Sequence, residues 1–175
     1  MTLAALPIAL LAAGAPMTVH DLEVKANDGS AVSLGQYRGK ALLVVNTASE
    51  CGYTPQYRGL EALHQAYRAR GLVVLAFPSN DFGGQEPGTD AEIRRFCELK
   101  YRTTFPLFAK VKVKGAGADP LWRHLAAAPE GGAPTWNFNK YLVDPSGRVV
   151  ARFDSAVEPD APALRAAVEA VLPAR

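Results

Sequence analysis

Residues 41–55 read ALLVVNTASECGYTP: five apolar residues from Ala41 to Val45, then Asn46, a short stretch of small and polar residues, Cys51-Gly52, and the pair Thr54-Pro55. An unbroken apolar run of this length predicts a central strand covered on both faces, since a strand with one wet face would alternate. It ends at Asn46, just before the cysteine. Thr54 and Pro55 read as an N-cap and a first helical residue. Leu60, Leu63 and Tyr67 then recur at helical spacing until Gly71 stops the helix, and Leu72 to Phe77 form a second buried strand.

The same reading extends in both directions. Downstream, Pro78 to Gly88 is a loop with three glycines and two prolines, and Thr89-Asp90-Ala91-Glu92 is a capping box. That box opens a helix with Ile93, Phe96 and Cys97 on one face, ending near Tyr101. Asp119-Pro120 starts a third helix through Ala127. Lys140 to Val143 and Arg148 to Phe153 flank the turn Asp144-Pro145-Ser146-Gly147 as a hairpin, and a last helix runs from about Pro159 to Leu172 with Leu164, Val168 and Val171 facing inward. Upstream, Val19 to Lys25 and Ala31 to Leu34 flank an Asp28-Gly29 turn signal as a small hairpin. Strands alternating with helices and closing on an antiparallel hairpin predict an α/β protein with a mixed central sheet flanked by helices, preceded by an N-terminal β-hairpin. This order suits a thioredoxin-like fold.

A chain of 175 residues with 49% hydrophobic and 21% charged residues is in the range of one globular domain, expected over residues 17–175. Its charge of +2 comes from 19 basic and 17 acidic residues spread along the chain, so no basic stripe points to nucleic acid. The histidines His20, His64 and His124 stand at no metal-ligand spacing to either cysteine, and no metal site is expected. Gly83-Gly84 and Gly88 suggest a phosphate loop, but no Lys-Ser/Thr pair opens the next helix, so no nucleotide or other cofactor is expected either. Residues 1–16 form an uncharged apolar prefix whose run from Leu3 to Ala13 is too short to span a bilayer. Ala13-Gly14-Ala15 resembles a cleavage site, yet a positive n-region is missing and Pro16 would follow the cut. Met17 opens a segment that already reads as the start of a domain. The prefix is thus read as a mis-assigned start or a weak signal, with a cytoplasmic location expected and export the alternative.

Cys51 lies between the end of a buried strand and the start of a helix. Backbone N–H groups and the positive end of a helix dipole favour the thiolate, which is the nucleophilic form of cysteine. Gly52 leaves the approach to the sulfur open. A small apolar residue closing a strand end would fit the same pattern, so position alone leaves both readings standing. Gln85, Trp136 and Asn137 are equally open by themselves, as a loop glutamine, a core anchor and a turn residue.

From about Leu22 to Leu172 the chain resembles the glutathione peroxidase family. Three segments carry the resemblance, in order and at compatible spacing: Asn46 to Thr54 with its Ala-Ser-x-Cys-Gly-x-Thr core, Phe77-Pro78-Ser79-Asn80-Asp81-Phe82-Gly83-Gly84-Gln85-Glu86-Pro87-Gly88, and Trp136-Asn137-Phe138-Asn139-Lys140-Tyr141-Leu142. The resemblance implies a thiol peroxidase in which Cys51 attacks the peroxide. It also implies that Gln85, Trp136 and Asn137 converge on Cys51 as neutral hydrogen-bond donors that stabilise the thiolate and the departing oxygen. Family members often carry cysteine and glutamine where this chain has Ser79 and Asp81.

In the cysteine-type branch of the family the resolving cysteine falls at Cys97, although its place beside Ile93 and Phe96 equally suits an ordinary core residue. A sulfenic acid on Cys51 would condense with the Cys97 thiol. A cysteine inside a helix is poorly placed to reach it, because a disulfide needs Cα atoms within about 7 Å, so the Thr89 to Tyr101 helix is expected to unwind in part when Cys51 is oxidised. A dithiol protein, thioredoxin rather than glutathione, is then the expected reductant. Only a short segment separates Leu125 from Trp136, so the insertion that builds tetramers in some family members is missing and a monomer or weak dimer is expected. A rival reading keeps the same site but makes the chain a peroxide sensor that passes oxidation from Cys51 to a partner protein.

Overall fold

The computed structural model describes residues 17–172; the prefix 1–16 and its two readings lie outside them. Strand β3 (Ala41–Thr47) is the centre of a four-stranded sheet and is buried at every position. Its residues divide by parity. Ala41, Leu43 and Val45 enter one apolar cluster, and Leu42 and Val44 enter the other. Successive side chains of a strand point to opposite faces, so a strand with a core on each side must be apolar throughout. That is the physical origin of the ALLVV run.

Helix α1 (Gln56–Tyr67) carries the chain from β3 to β4 (Leu72–Pro78), which pairs with β3 in parallel from Ala41↔Leu72 to Thr47↔Pro78. On the other side of β3, β5 (Lys140–Val143) runs antiparallel and is followed by β6 (Val149–Phe153), giving the order β4-β3-β5-β6. The mixed sheet expected from the sequence is therefore present, as is the N-terminal hairpin of β1 (Glu23–Lys25) and β2 (Ala31–Ser33).

Three helices complete the layers. Helix α2 (Asp90–Phe96) begins in the expected capping box, with Thr89 and Glu92 exchanging hydrogen bonds, and continues as a π-helical turn over Cys97–Tyr101 that ends at Arg102 in the left-handed region, φ 53°. Helix α3 (Pro120–Ala127) puts Leu121, Trp122 and Leu125 into the cluster that holds Leu42 and Val44. Helix α4 (Pro162–Val171) puts Leu164 and Val168 into the cluster of Leu43, together with Leu60 and Leu63 of α1 and Ile93 of α2. One face of the sheet thus carries α1, α2 and α4, and the other carries α3 and the hairpin. Among the described residues no helix is long and apolar enough to cross a membrane.

Two helix starts differ from the sequence reading. Helix α4 begins at Pro162 rather than Pro159, because the Pro159 ring is packed on the bare Cα of Gly59 in α1, where an added Cβ would come within 3.1 Å of the ring. Helix α1 begins at Gln56, and Thr54 does not cap it. Its hydroxyl is used within the Cys51 loop. Leu43 has no exposed surface and sits mid-sheet, so Leu43→Ala should lower the unfolding free energy by about 3 kcal/mol in urea denaturation followed by circular dichroism.

Candidate active site

After β3 the chain turns sharply, and the turn is fastened by one side chain. The Thr54 hydroxyl donates to the Ala48 carbonyl (2.8 Å) and accepts from the Cys51 N–H (2.9 Å), while the Thr54 N–H donates to the Cys51 carbonyl (3.0 Å). The chain then enters α1 through bonds of the 3₁₀ type, Gln56 N–H to Tyr53 and Tyr57 N–H to Thr54. This arrangement leaves Cys51 at the open end of the helix, 7% exposed, with its Sγ accepting the Tyr53 N–H at 3.4 Å. The sulfur thus meets a backbone donor in the turn that leads into α1.

Asn46 fastens a second segment to the same strand end. Its buried carboxamide donates to the Trp136 carbonyl (2.9 Å) and accepts from the Asn139 N–H (3.0 Å), and its own carbonyl accepts from the Phe138 N–H (2.6 Å). Phe138 takes a left-handed backbone, φ 63°, and its ring lies edge-on to Tyr57 with centroids 5.4 Å apart. Ser155 holds the segment from behind, its hydroxyl donating to the Asn137 carbonyl and accepting from Asn139 Nδ2. Ser155 is itself fixed by the fully buried Lys140, whose Nζ donates to the Ser155 and Val157 carbonyls. Burial holds that ammonium down at about 8, with Glu158 and Asp154 acting against the shift.

The loop after β4 completes the cluster. Gly83 and Gly84 both have positive φ, 66° and 64°, a turn that only glycine adopts readily. It folds Gln85 back so that its carbonyl accepts the Glu50 N–H (3.0 Å) and its Oε1 accepts from Asn137 Nδ2 (3.0 Å). Trp136 lies against Phe82 of the same loop, rings 5.7 Å apart, and stays 38% exposed.

The structure therefore brings Gln85, Asn137 and Trp136 together and joins Gln85 to the residue beside Cys51. No hydrogen bond among the described residues runs from these three side chains to the sulfur, and the Asn137 amide is turned onto Gln85 and the Phe82 carbonyl. Ser79 and Asp81 serve the loop itself: Ser79 accepts from the Asp81 N–H, and the Asp81 carboxylate accepts from the N–H groups of Val113 and Lys114.

Cys97 sits at the junction of α2 and its π turn with no exposed surface, in the same apolar cluster as Cys51, Tyr57 and Phe138. Both cysteines are free thiols. Burial pushes the Cys97 thiol up to about 11, the Tyr57 hydroxyl opposes the shift, and the carboxylates of Glu86 and Glu98 add to it. Asn46, Thr54 as a loop fastener, Tyr57 and the buried Glu86 were not singled out from the sequence. A polar residue ending an apolar strand is a usable signal for Asn46; nothing local marks the other three.

A cysteine presented where a central strand gives way to a helix, on a mixed sheet with helices on both faces, places the chain among thioredoxin-fold proteins. The fold likeness extends to a thioredoxin-family thiol:disulfide interchange protein from Chlorobium tepidum, with TM-score 0.64 at 16% identity over 91% of this chain and 99% of that one. Residues 19–126 match the family model for glutathione peroxidase. The hydroperoxy fatty acid reductase gpx1 of Synechocystis sp. is 50% identical over 159 residues, 86% of this chain and 94% of the relative. The crystal structure of Trgpx in apo form superposes with TM-score 0.73 at 32% identity, covering 91% of this chain and all of that one. The chain belongs to the glutathione peroxidase family.

The two thiols should differ in reactivity. In brief native-state alkylation at pH 7.5 with peptide mass spectrometry, Cys51 should be modified first and Cys97 at least about tenfold more slowly, because a buried thiol held near 11 has almost no thiolate. In denaturant the two rates should converge.

Proposed function

We propose that the chain reduces hydrogen peroxide and organic hydroperoxides to water or alcohols through Cys51. The Cys51 thiolate attacks one peroxide oxygen, the O–O bond breaks, and the departing oxygen takes up a proton as water or alcohol, leaving a sulfenic acid on Cys51. The observation that carries this reading is the placement of Cys51 at a helix start with the Tyr53 N–H on its sulfur, next to a glycine-turned loop that holds Gln85 against Asn137. Gln85, Trp136 and Asn137 act as neutral donors to the developing oxyanion, a role in which preorganised amide and indole N–H groups are effective.

Cys97 resolves the sulfenic acid. Its thiol attacks the Cys51 sulfur, the S–O bond breaks, and the Cys97 proton leaves with the hydroxide as water. Helix α2 must loosen for this. The helix has only seven α-helical residues before its π turn, and a helix so short draws its stability from packing rather than from itself. Thioredoxin then reduces the disulfide, since a dithiol can release itself from the mixed disulfide with its second cysteine. A cycle of this kind belongs in a reducing compartment, the cytoplasm, and runs in a monomer or weak dimer.

With a thioredoxin system coupled to NADPH oxidation, Cys51→Ser should show no turnover. Cys97→Ser should consume about one equivalent of peroxide and stall. Sustained wild-type turnover by Cys97→Ser would remove Cys97 from the cycle, and equal hydrogen-exchange protection of residues 90–101 in reduced and oxidised protein would rule out the loosening of α2.

A further inference from the structure

Glu86 follows Gln85 in the loop but serves a different space. It lines a cavity of about 420 Å³ between the Ser49-Glu50 stretch, one residue from Cys51, and Glu92, Ile93 and Phe96 of α2. The residue is only 1% exposed, and neither carboxyl oxygen closes a hydrogen bond of good geometry among the described residues. The Ser49 hydroxyl and N–H face it, and Lys110, the nearby cation, spends its ammonium on the carbonyls of Glu86 (3.2 Å) and Gly88 (2.6 Å). A carboxyl buried without a direct ion pair or a closed hydrogen bond is tolerated as the neutral acid and opposed as the anion.

We propose that Glu86 is a positioning residue for the resolving thiol: its ionisation loosens the packing of α2 on the Cys51 loop and lets Cys97 leave the core. This rests on the reading of Cys97 as the resolving cysteine. Glu86 lines the same cavity as Ile93 and Phe96, the residues that share an apolar face with Cys97, so a charge there acts on the segment that must move. Opening lets water reach the carboxylate.

Burial raises the Glu86 carboxyl from 4.5 to about 7 in the closed state. A raised acid leaves the closed state undisturbed below the open-state value of 4.5, weakens it progressively as pH climbs toward 7, and reaches its full effect above that. The groups facing Glu86 do not mimic this. Cys97 of the π turn and Tyr57 of α1 are both raised by burial and stay neutral, Glu92 of α2 is held down by Thr89 and stays charged, Lys110 is bonded to the Glu86 and Gly88 carbonyls, and Glu50 lies exposed on the loop.

Hydrogen exchange of amides 93–97 in the reduced protein, corrected for intrinsic rates and referenced to α1, tests this at pH 5.5 and 8. Wild-type protection should fall by roughly 30-fold, the change expected when a carboxyl moves between those two values. Glu86→Gln should show no such fall. Stopped-flow measurement at pH 8 should then find disulfide formation in Glu86→Gln about tenfold slower, with the peroxide-attack phase unchanged. A flat wild-type profile overturns the proposal without any variant, as does an equal fall in Glu86→Gln or an unchanged rate of disulfide formation. Failure of the resolving role itself shows separately, as sustained turnover by Cys97→Ser.

Discussion

The Asn46 carboxamide is the interaction on which the site depends. It stands at the end of a strand buried on both faces, where backbone groups of the next segment would otherwise meet an apolar wall. Its two polar atoms and its carbonyl accept or donate to three residues of the 136–139 segment, and so convert a strand end into a seat for Trp136 and Asn137. Each such bond is worth only about 1 kcal/mol net, but an orphaned buried partner costs more, so the three act as a unit that a slipped register could not satisfy. Phe138 shows what this docking can hold: a left-handed backbone at a bulky residue costs on the order of 1–2 kcal/mol, and the ring is compensated by complete burial against Tyr57.

A chain of supports radiates from that seat. Ser155 backs the 136–139 segment, buried Lys140 and Gln56 hold the Ser155 carbonyl, and the paired glycines swing Gln85 onto Asn137 and the Glu50 N–H. Three stretches far apart in sequence, 46–54, 82–86 and 136–139, meet through backbone carbonyls and carboxamides rather than through charges. A site built of neutral dipoles keeps its donors free of competing counter-ions, which suits a reaction that creates negative charge on oxygen.

The parts of this arrangement that were legible in the sequence are those set by periodicity and turn chemistry. The ALLVV run identified β3, the Thr89–Glu92 box identified the start of α2, and the order of elements identified the mixed sheet. Thr54 was misread for a physical reason. Its hydroxyl can cap a helix or close a loop, and the tertiary demand of the Cys51 turn decided which. Pro159 was misread similarly, because its ring packs on Gly59 of another helix, a contact with no local trace. Glu86 was invisible for the opposite reason: a glutamate in a glycine-rich loop reads as solvated, and its burial comes only from the tertiary fold.

The two cysteines share one apolar cluster yet have different neighbours. Cys51 has a backbone N–H on its sulfur at a helix start; Cys97 has apolar neighbours, a phenol, and carboxylates that oppose its ionisation. In the proposed cycle a thiol kept protonated inside the core does not compete with Cys51 for peroxide, and it becomes a nucleophile only when its helix opens. The order of the two steps then needs no separate control. In the proposed cycle attack at Cys51 happens in the closed structure, and resolution waits on a segment held by a seven-residue helix, a π turn and the packing of Ile93, Phe96 and Tyr101 against the core. If Cys97 is the resolving thiol, the shortness of that helix is a condition of the cycle, because a longer, better-formed helix would hold Cys97 away from the sulfur it would attack.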